Sequence, residues 1–99
     1  MSAPIRIEAA SIPHLPRGVK LRFDEQRKRW SLLAPERVFV PDDIAVEILQ
    51  RCDGVATVNA IADALAAKFG APREEVARDV IEMLQDLANK GVVAVGLPA

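Results

Sequence analysis

The change of hydrophobic period at Pro41–Asp42 constrains the fold of this chain more than any other feature. Before it, apolar and polar residues alternate, as in Val19–Phe23, which is typical of a strand with one buried face. After it, apolar residues recur every three or four positions, as in Ile44, Ile48 and Cys52, which is typical of an amphipathic helix. We therefore expect a sheet first and a set of helices after it.

Turn signals divide the chain into three strands and three helices. Strands are predicted at residues 19–23, 30–33 and 37–40, and Pro41 ends the third because it cannot donate a ladder hydrogen bond. A helix begins at Asp42 or Asp43 and ends at Asp53–Gly54, a second runs from Thr57 to Gly70, and a third runs from Pro72 to about Asn89. The predicted apolar stripes are Ile44, Ala45, Ile48, Leu49 and Cys52; Ile61, Leu65 and Phe69; and Val76, Val80, Met83 or Leu84, and Leu87. Val92–Val95 forms a short last strand or packs onto the core.

This order predicts an α+β fold, βββααα, in which a three-stranded antiparallel sheet precedes three helices in a winged helix-turn-helix-like arrangement. A length of 99 residues allows one domain. Residues 1–17 contain three prolines without a sustained period, and we expect a flexible N-terminal arm there, followed by the folded domain at 18–95. With no apolar run near the roughly 18 residues of a membrane span and a single cysteine, the expected location is the cytoplasm.

The sequence offers no motif for catalysis, for a cofactor or for a metal, so the protein is not expected to be an enzyme. Asp79, Glu82 and Asp86 share one side of the third helix. We interpret them as a solvated or partner-facing surface, because acid–base chemistry by carboxylates needs a concave site with shifted pKa values.

Charge argues against nucleic acid as the partner. Residues 1–41 carry a net charge of +4 and residues 42–99 a net charge of −5. The third helix, which would be the recognition helix of a DNA-binding protein, has three basic and five acidic residues, so a duplex would repel it. A winged-helix DNA-binding protein therefore remains only an alternative hypothesis.

The third strand is the more promising binding element. It ends the sheet in sequence, and an edge strand presents unpaired N–H and C=O groups to which an extended peptide can add. The same edge could pair with a second copy of the chain, so a structural dimerisation module is a further alternative.

An ordered set of segments over residues 16–93 resembles the PqqD family of pyrroloquinoline quinone biosynthesis. The segments are Pro16–Asp24, Leu32–Arg37, Ile48–Leu49, Cys52–Gly54, Thr57, Pro72–Val76, Leu84–Leu87 and Lys90–Gly91. One departure is Pro41–Asp43, where members of the family often have an asparagine-containing stretch; aspartate caps a helix equally well.

The resemblance implies a peptide chaperone, or RiPP recognition element, that binds the precursor peptide PqqA. It also implies association with the radical S-adenosylmethionine enzyme PqqE, and in some organisms fusion to PqqC. A homodimer is a further possible assembly. The peptide-binding residues implied on this chain are Arg37, Val38, Phe39 and Val40 on the strand, and Val76, Asp79, Val80 and Met83 on the third helix. For the apolar ones core packing is the alternative role, so Arg37 and Asp79 are the stronger candidates for contact.

Overall fold

The structure is a computed structural model that describes residues 5–96. Its elements, in chain order, are β1 (Pro13–His14), β2 (Lys20–Asp24), β3 (Arg29–Ala34), β4 (Arg37–Phe39), α1 (Asp43–Gln50), α2 (Val58–Phe69), α3 (Arg73–Asn89) and β5 (Ala94–Val95). The predicted α+β order of three antiparallel strands followed by three helices is confirmed. Val92 and Val93 pack into the core and Ala94–Val95 forms the short last strand, as the two alternatives for this segment anticipated, whereas β1 was not predicted.

The main sheet has the strand order β2-β3-β4, with both pairs antiparallel. Leu21 lies opposite Leu32, and Leu32 lies opposite Phe39, so these side chains share the face that covers the helices. The β2–β3 turn is closed by Asp24, whose Oδ1 accepts hydrogen bonds from the backbone N–H groups of Gln26 and Arg27 at 3.0 and 3.1 Å. Because successive side chains of a strand point to opposite faces, residues such as Lys20 and Arg22 lie on the other face of the sheet, which is in solvent.

Capping residues set the starts of α1 and α2 and the end of α2 where the sequence predicts them, but the predicted end of the first helix at Asp53–Gly54 is wrong, because α1 ends at Gln50 with Arg51 as its C-cap. Asp42 Oδ1 accepts from the N–H of Ala45 at 2.8 Å, and Thr57 Oγ1 accepts from the N–H of Ala60 at 3.1 Å. Gly70 ends α2 with a φ of 60°, a left-handed conformation that glycine adopts without steric cost. No helix within residues 5–96 is long and apolar enough to cross a membrane.

The core lies between the sheet and the three helices. Its fully buried members include Leu32 from β3, Ile48 from α1, Ile61 from α2 and Leu84 from α3. Two predicted stripe residues are corrected by the structure, because Ile44 is 48% exposed and Phe69 is 50% exposed. Ile44 lies at the margin of the buried arc of α1, and Phe69 lies in the last turn of α2, beyond the core.

The N-terminal segment departs from the prediction of a flexible arm. Ile7 is only 4% exposed, and Pro13–His14 pairs with Ala94–Val95. The carbonyls of Ala9 and Ser11 accept hydrogen bonds from the N–H groups of Asn59 and Val58, at 3.0 and 2.9 Å, which satisfies two free donors at the start of α2. We call residues 5–14 the N-terminal strap. The first four residues of the predicted arm lie outside the described residues.

Candidate peptide-binding site

Strand β4 is an edge of the main sheet. Within residues 5–96 it pairs only with β3, and Arg37–Val40 makes no backbone-to-backbone hydrogen bond outside that ladder. Val38 is 66% exposed and Val40 is 57% exposed, so neither side chain is covered by another element of the described chain. The outer edge of β4 is therefore sterically open to a further extended chain.

The other two predicted strand residues lie on the sheet face that covers the helices, where Arg37 stays exposed. Phe39 is half-buried and packs against the core. Arg37 Nη2 donates a 2.8 Å hydrogen bond to the carbonyl of Lys90, which caps α3, and its guanidinium lies 5.4 Å from the centroid of the Phe39 ring. Among the described residues this is the only hydrogen bond between β4 and the C-cap of α3. Arg37 thus holds one end of β4 beside the C-terminal end of α3.

The four residues predicted on α3 divide into three situations. Asp79 is exposed, and Met83 is half-buried one turn further along. Val76 is also half-buried, and both Val76 and Met83 pack against the core. Val80 is a correction, because it is only 1% exposed and lies within the core, so it supports the helix from beneath and is not accessible to a peptide. A helix places residues 76, 79 and 83 on one flank, whereas residue 80 turns inward.

An open depression of about 1060 Å³ lies along α3. It is lined by Arg6, Ile7, Asp42, Ile44, Arg78, Asp79, Ile81, Glu82, Met83, Gln85, Asp86 and Asn89. Of the predicted site residues, only Asp79 and Met83 line it, and those of β4 do not. The depression combines apolar surface from Ile44 and Met83 with the carboxylate that caps α1 and carboxylates of α3.

Gln85 is a residue that the sequence reasoning missed. Its Oε1 accepts a 2.8 Å hydrogen bond from the N–H of Ile7, and its Nε2 donates to the carbonyl of Ile5 at 2.6 Å. One side-chain amide thus pairs with an N–H group and a carbonyl group of the strap backbone. The two partners are about 80 positions apart in the sequence, so no local pattern signals the contact.

The ionisable groups with a shifted pKa lie outside the depression. Burial, and to a lesser extent the neighbouring Asp53 carboxylate, raises the pKa of the Cys52 thiol to about 12. Hydrogen bonds from Lys68 and Arg51 lower the pKa of Glu47, and backbone N–H groups of Ala56 and Val55 lower that of Asp53. Cys52, predicted on the apolar stripe of the first helix, is buried in the core two residues beyond the end of α1.

These elements define a winged helix-turn-helix-like α+β domain with an open sheet edge beside its third helix. The model of the family described as coenzyme PQQ synthesis protein D (PqqD) matches residues 29–93. Two relatives named PqqA binding protein, from Rhodopseudomonas palustris strains BisB5 and HaA2, are each 62% identical over 91% of this chain and 88% of their own length. The chain belongs to the PqqD family.

Solved structures give the same fold. The solution structure of the PqqD part of Methylobacterium extorquens PqqCD, described as a functional and stand-alone RiPP recognition element, is 44% identical and superimposes with a TM-score of 0.79. That match covers 92% of this chain and 97% of the other. The crystal structure of PqqD from Xanthomonas campestris is 46% identical, covers 86% and 94% of the two chains, and gives a TM-score of 0.55.

Proposed function

We propose that this chain is a peptide chaperone that binds a PqqA-type precursor peptide and presents it to the radical S-adenosylmethionine enzyme PqqE in pyrroloquinoline quinone biosynthesis. The observation that carries the proposal is the open outer edge of β4, which Arg37 holds beside the C-terminal end of α3. The names of the relatives that are 62% identical support the same peptide as ligand.

In this proposal the peptide adds to Arg37–Val40 as a further strand. Main-chain hydrogen bonds supply affinity, and alternate side chains of the peptide point towards α3. There they would meet Asp79 and the half-buried Val76 and Met83, while the buried Val80 holds the helix in place. An affinity of about −8 kcal/mol, which is micromolar, is reasonable for a short added strand.

The domain would perform no bond chemistry. By holding the peptide while it associates with PqqE, it would raise the effective concentration of the peptide at the enzyme. We place this step in the cytoplasm, where a lone thiol such as Cys52 stays reduced.

Two further partners belong to the same proposal. A relative in Methylorubrum extorquens, named bifunctional coenzyme PQQ synthesis protein C/D, is 44% identical over 91% of this chain. The matched region makes up 24% of the length of that relative. A PqqC-type protein is therefore a candidate partner. A second copy of the chain could also pair with β4, and such a homodimer would compete with the peptide for the edge.

A titration of the protein with a PqqA peptide tests the proposal. Asp79→Lys reverses a charge on the exposed flank of α3, and we expect it to weaken binding about fivefold or more while leaving the far-UV spectrum unchanged. Glu74→Lys is the matched control, because Glu74 is exposed on the same helix, points away from the flank of Asp79 and does not line the depression. Phe39→Ala should also weaken binding, but Phe39 packs on the core, so its effect must be corrected for lost stability.

Equal affinities for the wild type, Asp79→Lys and a Met83→Ala variant would place the groove elsewhere. Steeply salt-dependent binding to duplex DNA, without affinity for the peptide, would favour the winged-helix DNA-binding alternative.

A further inference from the structure

The two edge strands of the main sheet carry different side chains on the solvent face. On β2 that face presents Lys20 and Arg22, which are exposed, whereas on β4 it presents Val38 and Val40, which are also exposed. Charged side chains on an edge strand, lysine above all, discourage the addition of another strand. The edge at β2 is therefore protected by charge, and the edge at β4 lacks this protection on the same face.

The register of the β3–β4 hairpin determines which main-chain groups of β4 are free. Ala34 and Arg37 lie opposite each other across a two-residue turn, so they form the first hydrogen-bonded pair of the ladder. Hydrogen-bonded and non-hydrogen-bonded pairs alternate along an antiparallel ladder, so Val38 and Leu33 form a non-hydrogen-bonded pair. The N–H and C=O groups of Val38 consequently point away from β3, and no other backbone group within residues 5–96 bonds to them.

These free groups determine the face on which a bound peptide places its side chains. A strand that bonds to the main chain of Val38 has one residue directly opposite Val38, and the side chains of two opposite residues lie on the same face of a sheet. The peptide side chain opposite Val38 therefore lies on the solvent face, and only its two neighbours in the peptide point towards the helices. The affinity of β4 for a peptide thus depends on both faces of the sheet, and not only on the surface beside α3.

The solvent face around Val38 is apolar. Leu33 lies opposite Val38 in the ladder, and it is half-buried without belonging to the core or to the residues packed against the core. Val40 lies two residues beyond Val38 and therefore on the same face. We call Leu33, Val38 and Val40 the outer-face patch. An apolar peptide side chain at this place covers apolar surface, whereas a charged one finds no partner on β4.

We infer that the outer-face patch selects the peptide, and that the peptide residues opposite Val38 and Val40 carry apolar side chains. The ligand is then an extended segment with two apolar side chains, two residues apart, on the face that points away from α3. This inference rests on the proposed function, because it requires the peptide to add to β4 as a strand. It goes beyond that function by assigning a second, outward-facing set of contacts to the peptide.

The test compares threonine variants in titrations with PqqA peptide. Threonine keeps the β-branched shape of valine and replaces one methyl group by a hydroxyl group, so the strand is retained while the apolar contact is weakened. Val38→Thr should weaken binding about threefold, and Val38→Thr combined with Val40→Thr about tenfold, because each cross-strand pair adds its own contribution. Val55→Thr is the matched control, since Val55 is exposed and lies outside the sheet, and its affinity should equal that of the wild type.

Two further measurements separate the main-chain contact from the side-chain contact. Val38→Pro removes the free N–H group and no bond of the β3–β4 ladder, because proline is tolerated on an edge strand where the N–H faces solvent, and it should abolish peptide binding. In isotope-filtered NMR of the wild-type complex, side-chain protons of the peptide should give nuclear Overhauser effects to the methyl groups of Val38 and Val40. The NMR result does not depend on the stability of any variant.

The outcomes distinguish this inference from the proposed function. Wild-type affinity of both threonine variants, together with loss of binding in Val38→Pro, would show that the peptide adds to β4 without being selected by the patch, which overturns the inference alone. Wild-type affinity of Val38→Pro, or no binding by the wild type, would refute addition to β4 and the proposed function with it. If the threonine variants changed only the concentration dependence of the protein's mass, the patch would bind a second copy of the chain and the inference would be wrong.

Discussion

Substitution of Gln85 by alanine tests whether the N-terminal strap is part of the folded domain. The substitution removes the acceptor of the Ile7 N–H and the donor to the Ile5 carbonyl. A net contribution of about 0.5–1.5 kcal/mol per hydrogen bond, with the solvent-exposed Ile5 bond at the lower end, predicts a loss of about 1–2 kcal/mol in the free energy of unfolding. In a domain of this size that lowers Tm by roughly 4–8 °C for each kcal/mol.

If the strap detaches completely, the side chain of Ile7 also leaves the core. Burial of an isoleucine contributes about 1.5–3 kcal/mol, which sets the upper range of the effect. Because Ile7→Ala and Gln85→Ala would both act through the strap, the double variant should lose less stability than the two single losses together.

The assay is urea unfolding of Gln85→Ala, Ile7→Ala and the double variant, with amide exchange of the Ile7 N–H as the local probe. Gln50→Ala is the matched control, since Gln50 is an exposed glutamine in α1 whose side chain forms no hydrogen bond within residues 5–96. If the free energy of unfolding of Gln85→Ala lay within about 0.3 kcal/mol of the wild-type value and the exchange rate of the Ile7 amide were unchanged, the strap would not be held by Gln85.

Three other predictions concern single contacts. Arg37→Ala removes the hydrogen bond to Lys90 and the contact with Phe39, and should cost about 1 kcal/mol of unfolding free energy in urea, with Arg37→Lys losing less; equal stability of all three proteins would contradict this. Asp42→Ala removes the N-cap of α1 and should also cost about 1 kcal/mol, whereas Asp42→Asn should cost little. Cys52 is buried with its pKa raised to about 12, so iodoacetamide at pH 8 should label it only after unfolding, and rapid labelling of the native protein would show that α1 opens.

The sequence was sufficient to predict the elements whose signals are local. Alternation in Val19–Phe23, the caps Asp42 and Thr57, and Gly70 all act on their immediate neighbours, and the predicted order of three strands and three helices is confirmed. The third strand is also an edge, as expected from its place at the end of the strand run.

The strap could not be predicted, because its contacts are non-local. Residues 1–17 have no period, and their partners Asn59, Gln85 and Ala94–Val95 lie far along the chain. The direction of apolar side chains on α3 was equally beyond the sequence. Val76, Val80 and Met83 all fit a helical stripe, and only packing distinguishes the buried Val80 from the more accessible Met83.

The central claim is that an extended peptide adds to β4, and amide NMR of the protein titrated with PqqA peptide tests it most directly. The account predicts that shifts cluster at Arg37–Val40 and at Asp79 and Met83, and that amide exchange slows along the outer edge of β4. Saturable binding with its shifts confined to other elements, or an absence of shifts at high peptide excess, would contradict the account.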